Sequence, residues 1–157
     1  MAGTGAAPAQ TLPGCSVVAV AEPPREVLSC TSGITLDLEA ATELGFVSPQ
    51  EDGPPQIIEL ERGGALIEVA PGVARPQVRT PHAIAAVRGT VYALDVTPTG
   101  TSVFVIEGEV MVARSTRSDT RVLLGAGEGV DVSDDTPLIV RQWGAARVQA
   151  LLARFGR

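Results

Sequence analysis

Apolar and polar positions alternate along much of this chain. The period is clearest in Ile34-Thr35-Leu36-Asp37-Leu38-Glu39, where Ile34, Leu36 and Leu38 share one face of an extended segment and Thr35, Asp37 and Glu39 share the other. Such a strand has one buried face and one wet face. From Cys15 onward, short alternating or β-branched runs recur at a spacing of about ten residues, each bounded by Gly, Pro, Asp or Ser. Strands are predicted over 15–20, 27–30, 34–39, 44–48, 56–61, 65–69, 77–80, 84–87, 90–96, 102–106, 109–113, 121–124, 129–132 and 138–141. Pro23-Pro24, Pro54-Pro55, Pro71-Gly72 and Pro98-Thr99-Gly100 cannot continue a ladder and fall between these runs as turns. Segment 48–55 is expected as an exposed loop. Val103 to Ile106 is continuously apolar, the pattern of a strand covered on both faces.

The period changes near the C-terminus. Val148, Leu151, Leu152 and Phe155 lie at i, i+3, i+4 and i+7, with Gly156 as a stop signal, which predicts a helix over about 144–155. That helix either caps the open end of the sheets or presents an apolar stripe to a partner. The expected fold is therefore all-β: two packed antiparallel sheets of many short strands, a sandwich or short β-solenoid-like form, with one C-terminal α-helix. Residues 1–13 are small, Pro-containing and aperiodic and are expected as a disordered tail, leaving 14–157 as a single domain.

Composition narrows the partners. A chain of 157 residues accommodates one domain with a proper core. Its apolar fraction is carried by Val, Ala, Leu and Ile, with only three Phe, one Tyr and one Trp. All 12 basic residues are Arg and the net charge is −6, so the average surface repels nucleic-acid phosphates and anionic lipid headgroups. No apolar run approaches the roughly 20 residues that a bilayer requires, so no membrane insertion is expected. The first ten residues lack the basic and apolar regions of a secretory signal, which leaves a cytoplasmic protein or one whose signal is absent from this chain. Cys15 and Cys30 are compatible with a disulfide or with two reduced, buried thiols, and the residues alone leave both readings open.

Candidate chemistry is sparse. His82 is the single histidine and stands beside Pro81, a setting for a structural hydrogen bond rather than a general base. No Ser lies in a Gly-x-Ser-x-Gly elbow, and neither Cys has a nucleophile's surroundings. The glycines of 125–129 precede a strand pattern, not a helix, and so form a turn rather than a phosphate loop. Asp131, Asp134 and Asp135 lack calcium-loop spacing and read as a solvated acidic turn. Glu107 and Glu109 flank Gly108 as solvated turn residues. Arg88, between an apolar run and Gly89-Thr90, is expected to clamp adjacent strands through Glu107 or Asp95, since a buried guanidinium needs a partner. No catalytic residue, metal site or cofactor is expected.

Thr80-Pro81, Ala83, Ala86-Val87-Arg88-Gly89-Thr90 and Tyr92, followed by Thr101-Ser102-Val103, Glu107-Gly108, Val110 and Leu124-Gly125-Ala126-Gly127-Glu128, resemble the FecR domain over about residues 57–140. The resemblance implies an extracytoplasmic, all-β domain in which Arg88, Gly89, Thr90, Glu107 and Gly108 form the structural motif. It implies a periplasmic location and favours a Cys15–Cys30 disulfide. Signalling regulators of that family add a cytoplasmic sigma-binding region, a membrane helix and a receptor-binding module, and this chain carries none of these patterns. The resemblance thus implies a non-enzymatic interaction or sensory accessory of the envelope, with a membrane sensor or receptor as partner. Edge-strand addition or the stripe of Val148, Leu151, Leu152 and Phe155 would make the contact. The alternative is a small-ligand or glycan-binding envelope module, for which five aromatic residues offer few stacking surfaces.

Overall fold

The computed structural model describes residues 14–31, 33–47, 57–71, 76–116 and 120–157. The expected tail, 1–13, and the expected loop, 48–55, lie outside the described residues. In chain order the strands are β1 (Cys15–Val20), β2 (Arg25–Cys30), β3 (Ile34–Glu39), β4 (Glu43–Val47), β5 (Ile57–Val69), β6 (Gln77–Arg79), β7 (Ala83–Val96), β8 (Thr101–Arg114), β9 (Arg121–Leu124), β10 (Glu128–Val132) and β11 (Arg141–Gln142). They are followed by α1 (Ala145–Ala153), the one helix among the described residues.

Three pairs of expected strands prove to be continuous. The runs at 56–61 and 65–69 form β5, those at 84–87 and 90–96 form β7, and those at 102–106 and 109–113 form β8. Each long strand bends at glycine: Gly63 (φ 97°), Gly89 (φ 42°) and Gly108 (φ 89°) occupy the left-handed region that a side chain disfavours. The bends divide the ladder into two layers. One runs β1-β2-β3, then the second halves of β5 and β7, then the first half of β8, β10 and β11. The other runs β4, the first half of β5, β6, the first half of β7, the second half of β8 and β9. All ladders are antiparallel except β5 with β6. The all-β, two-layer expectation holds, with the layers joined through folded-over strands rather than standing as separate sheets.

One apolar core lies between the layers. Leu28, Leu36, Ile67, Leu94 and Val105 from the first layer pack with Ile58, Leu60, Val78, Ala85, Val112 and Leu124 from the second, all fully buried. The alternate residues of the first layer point outward: Leu66, Ala93 and Phe104 are also buried, because α1 covers them with Leu151 and Phe155. This double coverage explains the unbroken apolar run at Val103 to Val105, since Val103 and Val105 enter the inner core while Phe104 meets the helix. A nine-residue helix has little stability of its own. Here packing holds it, with Val148 and Leu152 half-buried at its margins.

Three expectations need correction. The helix lies across the outer face of the first layer, not over an open end of the sheets. The run at 138–141 is extended without a ladder until β11, because Pro137 precedes it and only Arg141 and Gln142 find partners on β10. The polar face of β3 is not wet: Asp37 is 7% exposed, beneath Arg25 and the C-terminal Arg157.

Candidate functional site

The Arg88-Gly89-Thr90 and Glu107-Gly108 segments meet at the folded corner. The β7–β8 register runs in step to Arg88 opposite Glu109, shifts on both sides of the Val91–Glu107 pair, and resumes at Tyr92 opposite Val105. Gly108 lies against Gly89 and Thr90: a methyl group at Gly108 would stand 2.7 Å from the Gly89 carbonyl oxygen. The Thr90 hydroxyl donates to the Glu109 carbonyl at 3.1 Å, tying the two strands together across the bend. These residues thus sit where two strands turn together from one layer into the other. The Arg88 side chain lies outside the described residues. Asp95, expected as one of its partners, accepts two hydrogen bonds from Arg154. Glu107 and Glu109 are exposed. A shallow groove of about 570 Å³ borders the corner, lined among others by Thr35, Glu68, Pro71, Gly89, Thr90 and Glu107.

Charge pairs fasten the helix end to the sheet. Arg154 donates to both carboxylate oxygens of Glu39 (2.8 and 2.5 Å) and of Asp95 (2.9 and 3.0 Å), spanning β3 and β7 with one guanidinium. These hydrogen bonds raise the Arg154 pKa further above its already high value. Arg157 continues the pattern to Glu68 at 2.8 Å. Gly64 leaves space beneath, since a Cβ there would strike the Glu39 carboxylate. Burial raises the Asp37 pKa, and Arg25 and Arg157 offset part of that effect. No sequence pattern announced the Arg154 clamp. Its carboxylates are 115 and 59 residues away, and Glu39 and Asp95 look like any outward positions on a strand.

At the other end of the helix, Trp143 stacks on Phe104 with ring centroids 4.9 Å apart, and the Arg147 guanidinium carbon stands 3.5 Å over the Trp143 ring. Trp143 lies so close to Gly129 that a Cβ there would collide with the indole. Arg147 also pairs with Asp131 at 2.7 Å, and Asp131 accepts a 2.6 Å hydrogen bond from Ser102. Burial acts to raise the Asp131 pKa, but these hydrogen bonds outweigh it and leave the pKa lowered. Asp134 and Asp135 lie in the neighbouring turn. No group of three or more metal-ligating side chains occurs among the described residues.

The remaining candidates take local roles. His82 is buried, and its Nδ1 shares a 3.0 Å hydrogen bond with the Thr101 hydroxyl, which in turn contacts the Thr80 hydroxyl at 2.8 Å. The Gly125 amide donates to the Glu128 carboxylate at 2.7 Å, and Gly127 has φ 84°, so this glycine-rich segment is the turn from β9 to β10. Cys15 and Cys30 are joined by a disulfide across the β1–β2 ladder, with Cα atoms 3.9 Å apart. A loop of 15 residues closed in this way is worth about 3 kcal/mol in the chain-entropy account. No helix among the described residues is long and apolar enough to cross a membrane.

Solved structures share this overall fold. Two crystal structures of a candidate anti-sigma factor from Parabacteroides distasonis ATCC 8503 superpose with TM-scores of 0.66 and 0.64, each at 20% identity. They cover 87% and 88% of this chain, and this chain spans 64% of theirs. The family described as FecR protein matches residues 16–111, from β1 into the second half of β8, and the chain belongs to that family. The match begins well before the motif-bearing segment and stops short of β9, β10 and α1. No curated protein matches the chain by sequence.

Proposed function

We propose that this protein is a non-enzymatic, periplasmic interaction module of envelope signalling, which binds a membrane sensor or receptor through its exposed sheet surface and edges. The family match over β1 to β8 carries this reading. The burial of Phe155 and Leu151 against the sheet favours edges over the helix stripe as the contact, because those side chains are engaged within the fold. The cross-strand disulfide accords with an oxidising compartment. The small-ligand or glycan alternative has less support, since Trp143 is engaged by Phe104 and Arg147. The likeness to a candidate anti-sigma factor accords with a regulatory partner.

The oxidised full chain, immobilised and exposed to the envelope fraction of the source cells, tests the reading. Stoichiometric recovery of one sensor or receptor, followed by binding of that purified protein in calorimetry, is the expected result. Recovery of a small molecule or glycan with no protein would replace this function with the ligand-binding alternative.

A further inference from the structure

Four strands leave one side without a ladder partner among the described residues: β1, β4, β9 and β11. Three of them carry features that discourage pairing. β11 is two residues long, β9 opens with Arg121, and β4 carries Glu43, paired with Arg62, and an irregular register beside it. β1 has no such guard. It is six residues of Cys, Ser, Val and Ala without a charge or a proline, and Val18 is 59% exposed. Sequences of this kind pair readily with other strands.

The hydrogen-bond phase of β1 follows from one bond. The Thr31 amide donates to the Gly14 carbonyl at 2.8 Å, so Gly14 and Thr31 are a hydrogen-bonded pair, and antiparallel alternation makes Ser16, Val18 and Val20 the residues that bond to β2. Cys15, Val17 and Ala19 therefore aim their amides and carbonyls away from the protein. The same alternation on β2 is consistent with the Ala40 amide donating to the Pro24 carbonyl on the β3 side.

We infer that β1 is a self-pairing edge, and that two copies of this chain associate by antiparallel β1–β1 addition about a twofold axis at Val17. This register sets Cys15 opposite Ala19 of the second copy and Val17 opposite Val17 of the second copy. All three outward residues then find partners, in about six main-chain hydrogen bonds. The outward set is symmetric about its centre, which is what an isologous contact requires. Ser16 falls opposite Val18 of the second copy, and no position opposes like charges. Val17, which packs at the margin of the core, meets its own counterpart on the inner face. The contact consumes the β1 edge of both copies, so it closes as a dimer. An edge this small belongs to the weak, reversible class of interface.

Sedimentation velocity of the oxidised full chain, from about 10 µM to about 1 mM, reads the association directly. The expected result is a concentration-dependent shift from monomer to dimer. Ala19→Pro removes an outward amide that the monomer does not use, and the double change Ser16→Glu with Val18→Glu sets two like charges opposite each other while touching only exposed positions. Both variants should remain monomeric over the whole range with an unchanged melting curve, and the double variant decides the matter if Ala19→Pro fails to fold. Amides of Cys15, Val17 and Ala19 should gain exchange protection as concentration rises. A wild-type monomer at the highest concentration, or folded variants that dimerise as the wild type does, would overturn the inference. The measurement uses purified protein alone, so it stands or falls apart from the envelope partner.

Discussion

Phe155 closes the contact between α1 and the sheet, and Phe155→Ala measures how much the helix matters. The side chain is 1% exposed and packs with Leu66, Ala93, Phe104 and Leu151. Returning a buried phenyl ring to water costs about 2–3 kcal/mol. The cavity left behind adds a further amount, because β5, β7 and β8 are held by ladders on both sides and cannot collapse inward. The neighbouring Arg154 clamp survives the change, so the helix end stays near the sheet and the cavity is retained. A loss of about 3–4 kcal/mol is expected, out of the roughly 5–15 kcal/mol typical for a folded domain. At about 2–4 °C per kcal/mol, the melting temperature should fall by about 6–16 °C. Urea unfolding followed by far-ultraviolet circular dichroism gives the change directly, with an unchanged m-value confirming that the same surface unfolds. A loss below about 1 kcal/mol would refute the reasoning. It would mean that α1 does not hold the outer face of the sheet, and that its apolar stripe is free for a partner after all.

Gly108→Ala should cost at least about 2 kcal/mol in the same assay, since φ 89° is unfavourable for alanine and the new methyl would press on the Gly89 carbonyl. Tyr92 is fully buried and its hydroxyl has no hydrogen-bond partner among the described residues, so Tyr92→Phe should leave stability unchanged or raise it by about 1 kcal/mol, with a clear loss arguing for a hidden partner. Asp37 has a folded-state pKa raised chiefly by burial. Its contribution is therefore most favourable below the unfolded value of 3.8 and is lost as the pH rises through the raised folded value. Unfolding free energies measured from pH 3 to pH 7 should show this decline in the wild type relative to Asp37→Asn, and parallel curves would count against it.

Several elements were legible in the chain itself because their causes are local. The alternation at 34–39 predicts β3 with its bounds, and the β-branched run at 15–20 predicts β1, since a period of two is a property of neighbouring residues. The helix stripe, ending at Gly156, predicts α1 to within two residues at each end. The Val-Arg-Gly-Thr and Glu-Gly segments identify the family, and the structure places them at one corner.

What tertiary structure decided is everything that depends on distant partners. Glycine at 63, 89 and 108 looks like the end of a strand in the sequence, yet each marks a bend within one, because the ladder on either side carries the chain through. Asp37, Glu39 and Asp95 look like solvent-facing residues, and the C-terminal Arg154 and Arg157 turn them into anchor points for the helix. β1 reads as a strand like the others. Its position at the end of the layer makes it an edge, and the phase set by Gly14 and Thr31 determines which of its amides face outward. Periodicity records which face of a strand is buried; which neighbour covers that face is set only when segments far apart in the chain are brought together.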